Sequence, residues 1–102
     1  MEATGFKRVF AAARRSGDRN LLLLARENGL GHPRLGLAIS KKILRHAVDR
    51  NRVKRLVRES FRHHQHELGG LDVVVLARSG CRSAKRQQIH QALARLWQRL
   101  ES

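Results

Sequence analysis

The apolar positions of this chain fall into six stretches that follow two different periods. Phe6, Val9, Phe10 and Ala13 recur at i, i+3, i+4 and i+7, which predicts a short helix over 5–14 with Thr4 as its cap and Lys7 off the apolar face. Ser16-Gly17-Asp18 reads as a turn. The run NLLLLAR, 20–26, is too short for an independent helix and carries no cap signal, so it predicts a strand. Asn28-Gly29 and Gly31-His32-Pro33 then lead to RLGLAIS, 34–40, expected as an antiparallel partner. On that second strand Leu35, Leu37 and Ile39 share one face, and Gly36, Ala38 and Ser40 share the other. A face so lacking in bulk either receives a close-packed helix or leaves a groove.

From about 48 to 67 the period becomes helical. With Val53 at zero on a helical wheel, Leu56, Val57, Ser60, Phe61 and His64 lie within about 80° of it, while Asn51, Lys54, Arg55, Arg58 and Arg62 lie between about 100° and 200°. Gly69-Gly70 stands where a helix C-cap is expected. LDVVVLA, 71–77, is a β-branched run of the kind covered on both faces, and Ser79-Gly80 breaks it. A last helix is predicted over about 84–100, with Ile89, Leu93, Leu96, Trp97 and Leu100 on one stripe and Trp97 as a core anchor. The order α-β-β-α-β-α predicts an α+β fold, a two-layer α/β sandwich of helices on a small mixed sheet. Residues 1–102 form a single domain without repeats, linkers or low-complexity segments.

Charge changes the picture most. The formal net charge is +14, and Lys41 to Arg62 holds nine of the 22 Lys and Arg residues against two acids, Asp49 and Glu59. Exposed helix faces normally mix signs, and like charges at helical spacing repel by a few tenths of a kcal/mol per pair. A polyanion is the partner that offsets this cost, and nucleic acid fits better than a membrane surface. No apolar run is long enough to span a bilayer. The amino terminus does not follow a signal-peptide pattern, so the expected location is cytoplasmic. Cys81 is the only cysteine and reads as a small filler near a turn.

The eight acids are scattered, with no pair placed to hold magnesium ions for hydrolysis. His63, His64 and His66 cluster, but no ligand set completes around them, and no metal site is expected. A phosphate-binding glycine loop is absent, as is any Ser/His/Asp order worth defending. The chain therefore reads as a binder. It has no heptads, zinc ligands or compact three-helix pattern for major-groove reading, and no Tyr for an aromatic base-stacking sheet. A basic helix beside a groove suits structured RNA.

At Arg50-Asn51-Arg52, Lys54-Arg55 and Arg58-Glu59, the segment GLAISKKILRHAVDRNRVKRLVRESFR resembles the signature of the bacterial ribonuclease P protein component. RENGLGHPRLGL upstream and DVVVLAR downstream are similar to it as well, so the resemblance spans about 4–100. It implies the small subunit of a ribonucleoprotein whose RNA removes the 5′ leader of precursor tRNA. Magnesium is required by that holoenzyme through its RNA, and the protein alone is expected to be inactive. It also implies a sheet of at most four strands and a left-handed βαβ crossover, which general topology rules make rare.

By the same resemblance, catalytic-RNA contacts fall on Lys41, Lys42, Arg50, Asn51, Arg52, Lys54, Arg55 and Arg58, with Arg45 and Arg62 extending the row. The implied leader cleft takes Phe6, Phe10, Leu24, Gly36, Ala38 and Ser40. Phe6 and Phe10 could equally pack in the core, and Leu24 stands where many relatives carry an aromatic residue. The basic N-terminal arm of some relatives is short here. The implied partners are the catalytic RNA and precursor tRNA, with one protein monomer per RNA and no small-molecule substrate or protein-bound cofactor. The alternatives are a structural, ribosomal-type RNA-binding protein, a nuclease acting alone and a DNA-packaging protein.

Overall fold

The computed structural model of the chain describes residues 14–101. The expected first helix, with Thr4, Phe6 and Phe10, lies outside the described residues, apart from Arg14, which is in a strand. The described elements are β1 (Arg14–Gly17), β2 (Leu21–Glu27), β3 (Arg34–Ala38), α1 (Ala47–Leu68), β4 (Leu71–Ala77), a short 3-10 helix (Ser79–Arg82) and α2 (Arg86–Glu101). They form an α+β fold whose four-stranded sheet has the order β1-β2-β4-β3.

Two expectations are corrected here. Ser16 and Gly17 belong to β1 rather than to a turn, and β1 pairs antiparallel with β2. Its RRSG sequence has no apolar residue to announce it; the strand is held to α2 by polar bonds instead. Ser16 Oγ donates to Leu96 O at 3.0 Å and Arg14 Nη1 to Leu100 O at 3.2 Å. The Leu100 carbonyl belongs to the final turn of the helix, where no intrahelical donor is available, and Leu96 O takes the serine hydroxyl one turn earlier. The second correction is that β2 and β3 are not partners. β4 lies between them, antiparallel to β2 and parallel to β3, and β3 ends at Ala38, before Ile39 and Ser40.

β4 is buried almost throughout, as its β-branched run requires. Leu71, Val73, Val75 and Ala77 share a core with Leu21, Leu23 and Ala25 of β2 and with both helices. From α1 come Val53, Leu56, Val57 and Leu68; from α2 come Ile89, Leu93, Leu96, Trp97 and Leu100. Each large side chain fully buried in this way contributes about 1.5–3 kcal/mol. Ser60 is buried on the same stripe of α1 because its Oγ accepts the Trp97 Nε1–H at 2.8 Å, leaving the indole satisfied. Phe61 meets the Trp97 ring edge-on, with centroids 6.0 Å apart. Cys81 is fully buried in the 3-10 helix, and burial pushes its thiol pKa up against a smaller opposing pull from Arg52.

Because β3 and β4 are parallel, α1 must run back along the sheet before β4 begins. α2 runs back in the same way after β4. Both helices therefore start at one end of the sheet, where β3 and β4 finish, and both end at the other.

Candidate nucleic-acid interface

The outward face of α1 carries Asn51, Arg52, Arg55, Arg58 and Arg62 exposed, with Lys54 half-buried beside them. Among the described residues, the salt bridges engage no Lys or Arg of this helix. The row thus presents unpaired cations to solvent, as the wheel requires. Arg50 behaves differently. It is half-buried, and its Nη1 donates to Leu44 O and Arg45 O, each at 2.9 Å.

Arg82, which no sequence pattern singles out, complements this grip. Its Nε donates to Ile43 O at 2.8 Å and its Nη2 to Lys42 O at 2.9 Å. Two guanidinium groups thus hold four consecutive carbonyls, from Lys42 to Arg45, and the forked geometry of arginine suits paired acceptors. Leu44 is buried beneath, while Lys41, Lys42 and Arg45 remain exposed. The clamp fixes the segment before α1 so that its cations continue the helical row. His46 makes no side-chain cap bond, and with the Asp49 and Arg50 N–H groups bonded to His46 O, the positive end of the α1 dipole adds to the charge there.

Strand register builds the second part of the site, on the sheet face opposite the helices. Leu24 pairs with Val74, which pairs with Gly36; Leu22 pairs with Leu76, which pairs with Ala38. These residues form a small apolar cluster of their own, in which Leu24 is 7% and Val74 0% exposed. No helix among the described residues contributes to that cluster. The fold therefore brings Leu24, Gly36 and Ala38 onto one floor. Ser40 stands beyond the end of β3, exposed, with its Oγ accepting the Lys42 N–H at 3.0 Å. Phe6 and Phe10 lie outside the described residues.

One end of this floor is crossed by Arg26, Asp72 and Arg34, which pair in register. Asp72 is buried, and Arg34 reaches it twice, Nε at 2.7 Å and Nη2 at 2.6 Å, while Asn28 Nδ2 adds a bond at 3.0 Å. The Arg34 hydrogen bond, followed by that of Asn28, holds the carboxyl below its ordinary pKa against the opposing effect of burial. Sequence reasoning missed this network. The only local sign was an acid inside an otherwise apolar strand.

His64 Nδ1 donates to Ser60 O at 2.9 Å, while His63 and His66 are exposed. Among the described residues no group of three or more His, Cys, Asp or Glu could hold a metal ion. None of the described helices is long and apolar enough to cross a membrane.

Known proteins share this sequence pattern and this fold. The sequence model of the family described as Ribonuclease P matches residues 2–101. A relative from Pseudomonas aeruginosa, named ribonuclease P protein component, is 57% identical over 82 residues, covering 80% of this chain and 61% of its own length. One of the same name from Pseudomonas putida is 52% identical over 96 residues, covering 93% of this chain and 72% of its own. Among solved structures, the Staphylococcus aureus RNase P protein superposes with a TM-score of 0.88 at 28% identity, covering 96% of this chain and 90% of that one. The Thermotoga maritima RNase P protein gives 0.84 at 28% identity, covering 95% and 92%.

Proposed function

Since the chain belongs to the ribonuclease P family, we propose that it is the protein subunit of a ribonuclease P ribonucleoprotein and assists removal of the 5′ leader from precursor tRNA. The observation that carries this reading is the division of the molecule into two unlike surfaces. One is a row of exposed cations on α1, without ion-pair partners among the described residues, suited to the phosphates of a folded catalytic RNA. The other is an apolar sheet face built on buried Leu24 and Val74, whose half-buried rim of Leu22, Ala38 and Leu76 is suited to unstacked bases of a single strand.

On this reading Lys41, Lys42, Arg45, Arg52, Lys54, Arg55, Arg58 and Arg62 neutralise phosphates of the catalytic RNA. Arg50 and Arg82 act behind them by fixing the 42–45 backbone. Phe6, Phe10, Leu24, Gly36, Ala38 and Ser40 serve the leader. Mature tRNA has no leader, so contacts there favour substrate over product, and this differential is what the protein contributes to turnover. The chemistry resides in the RNA, with magnesium ions held by that RNA, and the expected assembly is one protein per RNA in the cytoplasm.

The test is cleavage of precursor tRNA at about 2–5 mM magnesium, limiting for a folded polyanion. Protein alone, catalytic RNA alone and the mixture are compared. Only the mixture should cut at the tRNA 5′ end. A mixture no better than RNA alone would leave a structural RNA-binding protein, and cutting by protein alone would make it a nuclease.

A further inference from the structure

Arginines gather a second time away from α1, at the turn between β1 and β2. The segment after β4 fixes this turn from beneath. Arg78 N–H donates to Asn20 O at 2.9 Å, Gly80 N–H to Arg19 O at 3.0 Å, and Arg78 Nη1 to Asp18 O at 3.0 Å. Asp18 directs Oδ1 onto the backbone N–H groups of Asn20 and Leu21, at 2.8 and 2.9 Å. From α2, Arg95 stands 3.7 Å from Asp18 Oδ2 with its side chain 59% exposed, and Arg99 Nη1 lies 3.5 Å from Gly17 O. Arg19 is exposed on the turn itself, and Arg15 is exposed two residues before Gly17 on β1. Arg95 thus stands beside a carboxylate that already serves the backbone, while Arg15, Arg19, Arg78 and Arg99 gather on and around the turn with no second acid among them. A hollow of about 480 Å³ opens between Arg19 and Arg95, lined also by Asp18, Asn20, Gln88 and Gln91.

Asp18 answers one of these charges, and the rest form a net positive patch that attracts a polyanion. Its place in the fold says which one. By register, Arg15 stands beside Leu24 and Gly17 beside Leu22, and the Arg78 guanidinium lies close over the Gly17 Cα. The cluster therefore continues the apolar sheet floor around the β1 edge and onto α2. α1 packs toward β3 and α2 toward β1 and β2, so the cluster and the α1 row occupy different sides of the molecule.

We propose that the β1–β2 turn with the adjoining face of α2 is a second RNA-phosphate site, which takes the single-stranded leader where it passes off the sheet floor. The proposal rests on the leader reading of that floor. Arg19, Arg95 and Arg99 bind successive phosphates, and the amides of Asn20, Gln88 and Gln91 line the hollow for a base.

The test uses holoenzyme assembled from the full chain and catalytic RNA, with precursor tRNAs whose leaders increase in length from one nucleotide. Wild type is compared with an Arg19→Ala, Arg95→Ala, Arg99→Ala variant. On long leaders the variant's salt slope should be shallower by about 2, from three contacts at roughly 0.7 each for a single strand, so wild type loses about 16-fold more affinity between 50 and 200 mM salt. On the shortest leader the two should bind alike, with catalytic-RNA affinity unchanged. Lysine at the three positions should restore most of the slope.

Equal losses at every leader length, or a loss of catalytic-RNA affinity, would overturn the proposal, because the cluster would then meet the other RNA. If wild type itself does not prefer precursor over mature tRNA, the leader reading of the floor fails and the proposal with it. A wild type that keeps the preference beside an unaffected variant removes the turn site alone.

Discussion

Arg50 and Arg58 lie on one helix, and the sequence offers no reason to treat them differently. The structure does. Arg58 is exposed and outside any salt bridge among the described residues, whereas the half-buried Arg50 holds the carbonyls of Leu44 and Arg45. Methionine at either position keeps the aliphatic length and removes the charge and the donors. For Arg58→Met, one phosphate contact is lost, so the slope of log affinity for catalytic RNA against log salt should fall by about 0.7–0.9 with the melting temperature unchanged.

For Arg50→Met, two bonds from a charged donor are lost at a partly exposed position, which we put at about 1–2 kcal/mol in total. At 4–8 °C per kcal/mol for a domain of this size, the melting temperature should drop by roughly 4–16 °C. Affinity should weaken at every salt concentration, because the Lys41–Arg45 segment is no longer held, while the slope changes far less than for Arg58→Met. Thermal melting and filter binding across a salt series measure both quantities. If Arg50→Met flattens the slope as much as Arg58→Met and melts normally, Arg50 faces RNA and the clamp does not operate.

Three further outcomes follow from the packing. A Cβ on Gly80 would stand 2.5 Å from Arg19 O and Asn20 Oδ1, so Gly80→Ala should cost about 1–3 kcal/mol in a denaturant titration; a neutral result would mean that the turn yields freely. Ser60→Ala leaves the Trp97 indole N–H buried without its acceptor, at about 1–3 kcal/mol, and an unchanged melting curve would show that another group reaches the indole. Asp72 titrates below the ordinary carboxylate value because Arg34 hydrogen-bonds to it. A group of that kind stabilises above its unfolded pKa of about 3.9 and loses the contribution as pH falls through the lower folded value. Wild type should therefore lose stability progressively below about pH 4, while Asp72→Asn, less stable at neutral pH, should show a shallower acid limb. Parallel acid limbs would remove Arg34–Asp72 as the cause.

Both helices were legible because one period places an entire buried stripe: Val53, Leu56 and Val57 on α1, and Ile89, Leu93 and Trp97 on α2, are all in the core. Pairing was harder to read. The turn residues between 28 and 33 suggested that β2 and β3 form a hairpin, yet β4, distant in sequence, separates them. Such non-local pairing leaves no local trace. β1 was hidden because its inward positions, Arg14 and Ser16, dock by hydrogen bonds to helix carbonyls rather than by apolar burial. In the candidate site, residue type located the cations but could not divide them. Arg50 and Arg82 grip backbone, Arg34 grips Asp72, and Arg55, Arg58 and Arg62 face solvent. That division depends on which carbonyls and carboxylates the fold brings within reach.

The shared direction of α1 and α2 adds their two helix dipoles together. Each helix contributes about half a positive charge at its start. Those starts lie at the same end as Lys41, Lys42, Arg45, Arg82, Lys85 and Arg86, whereas near the helix finishes Glu27 and Glu67 stand among Arg14, Arg26 and Arg34 and dilute the positive charge. In the field of an approaching polyanion such a body experiences a torque as well as an attraction, and turns its cationic end forward before contact. Orientation found during diffusion raises the productive share of collisions, and that gain fades as salt shortens the range of the field. The tandem β-α units thus act on the rate of encounter as well as on the strength of the finished complex.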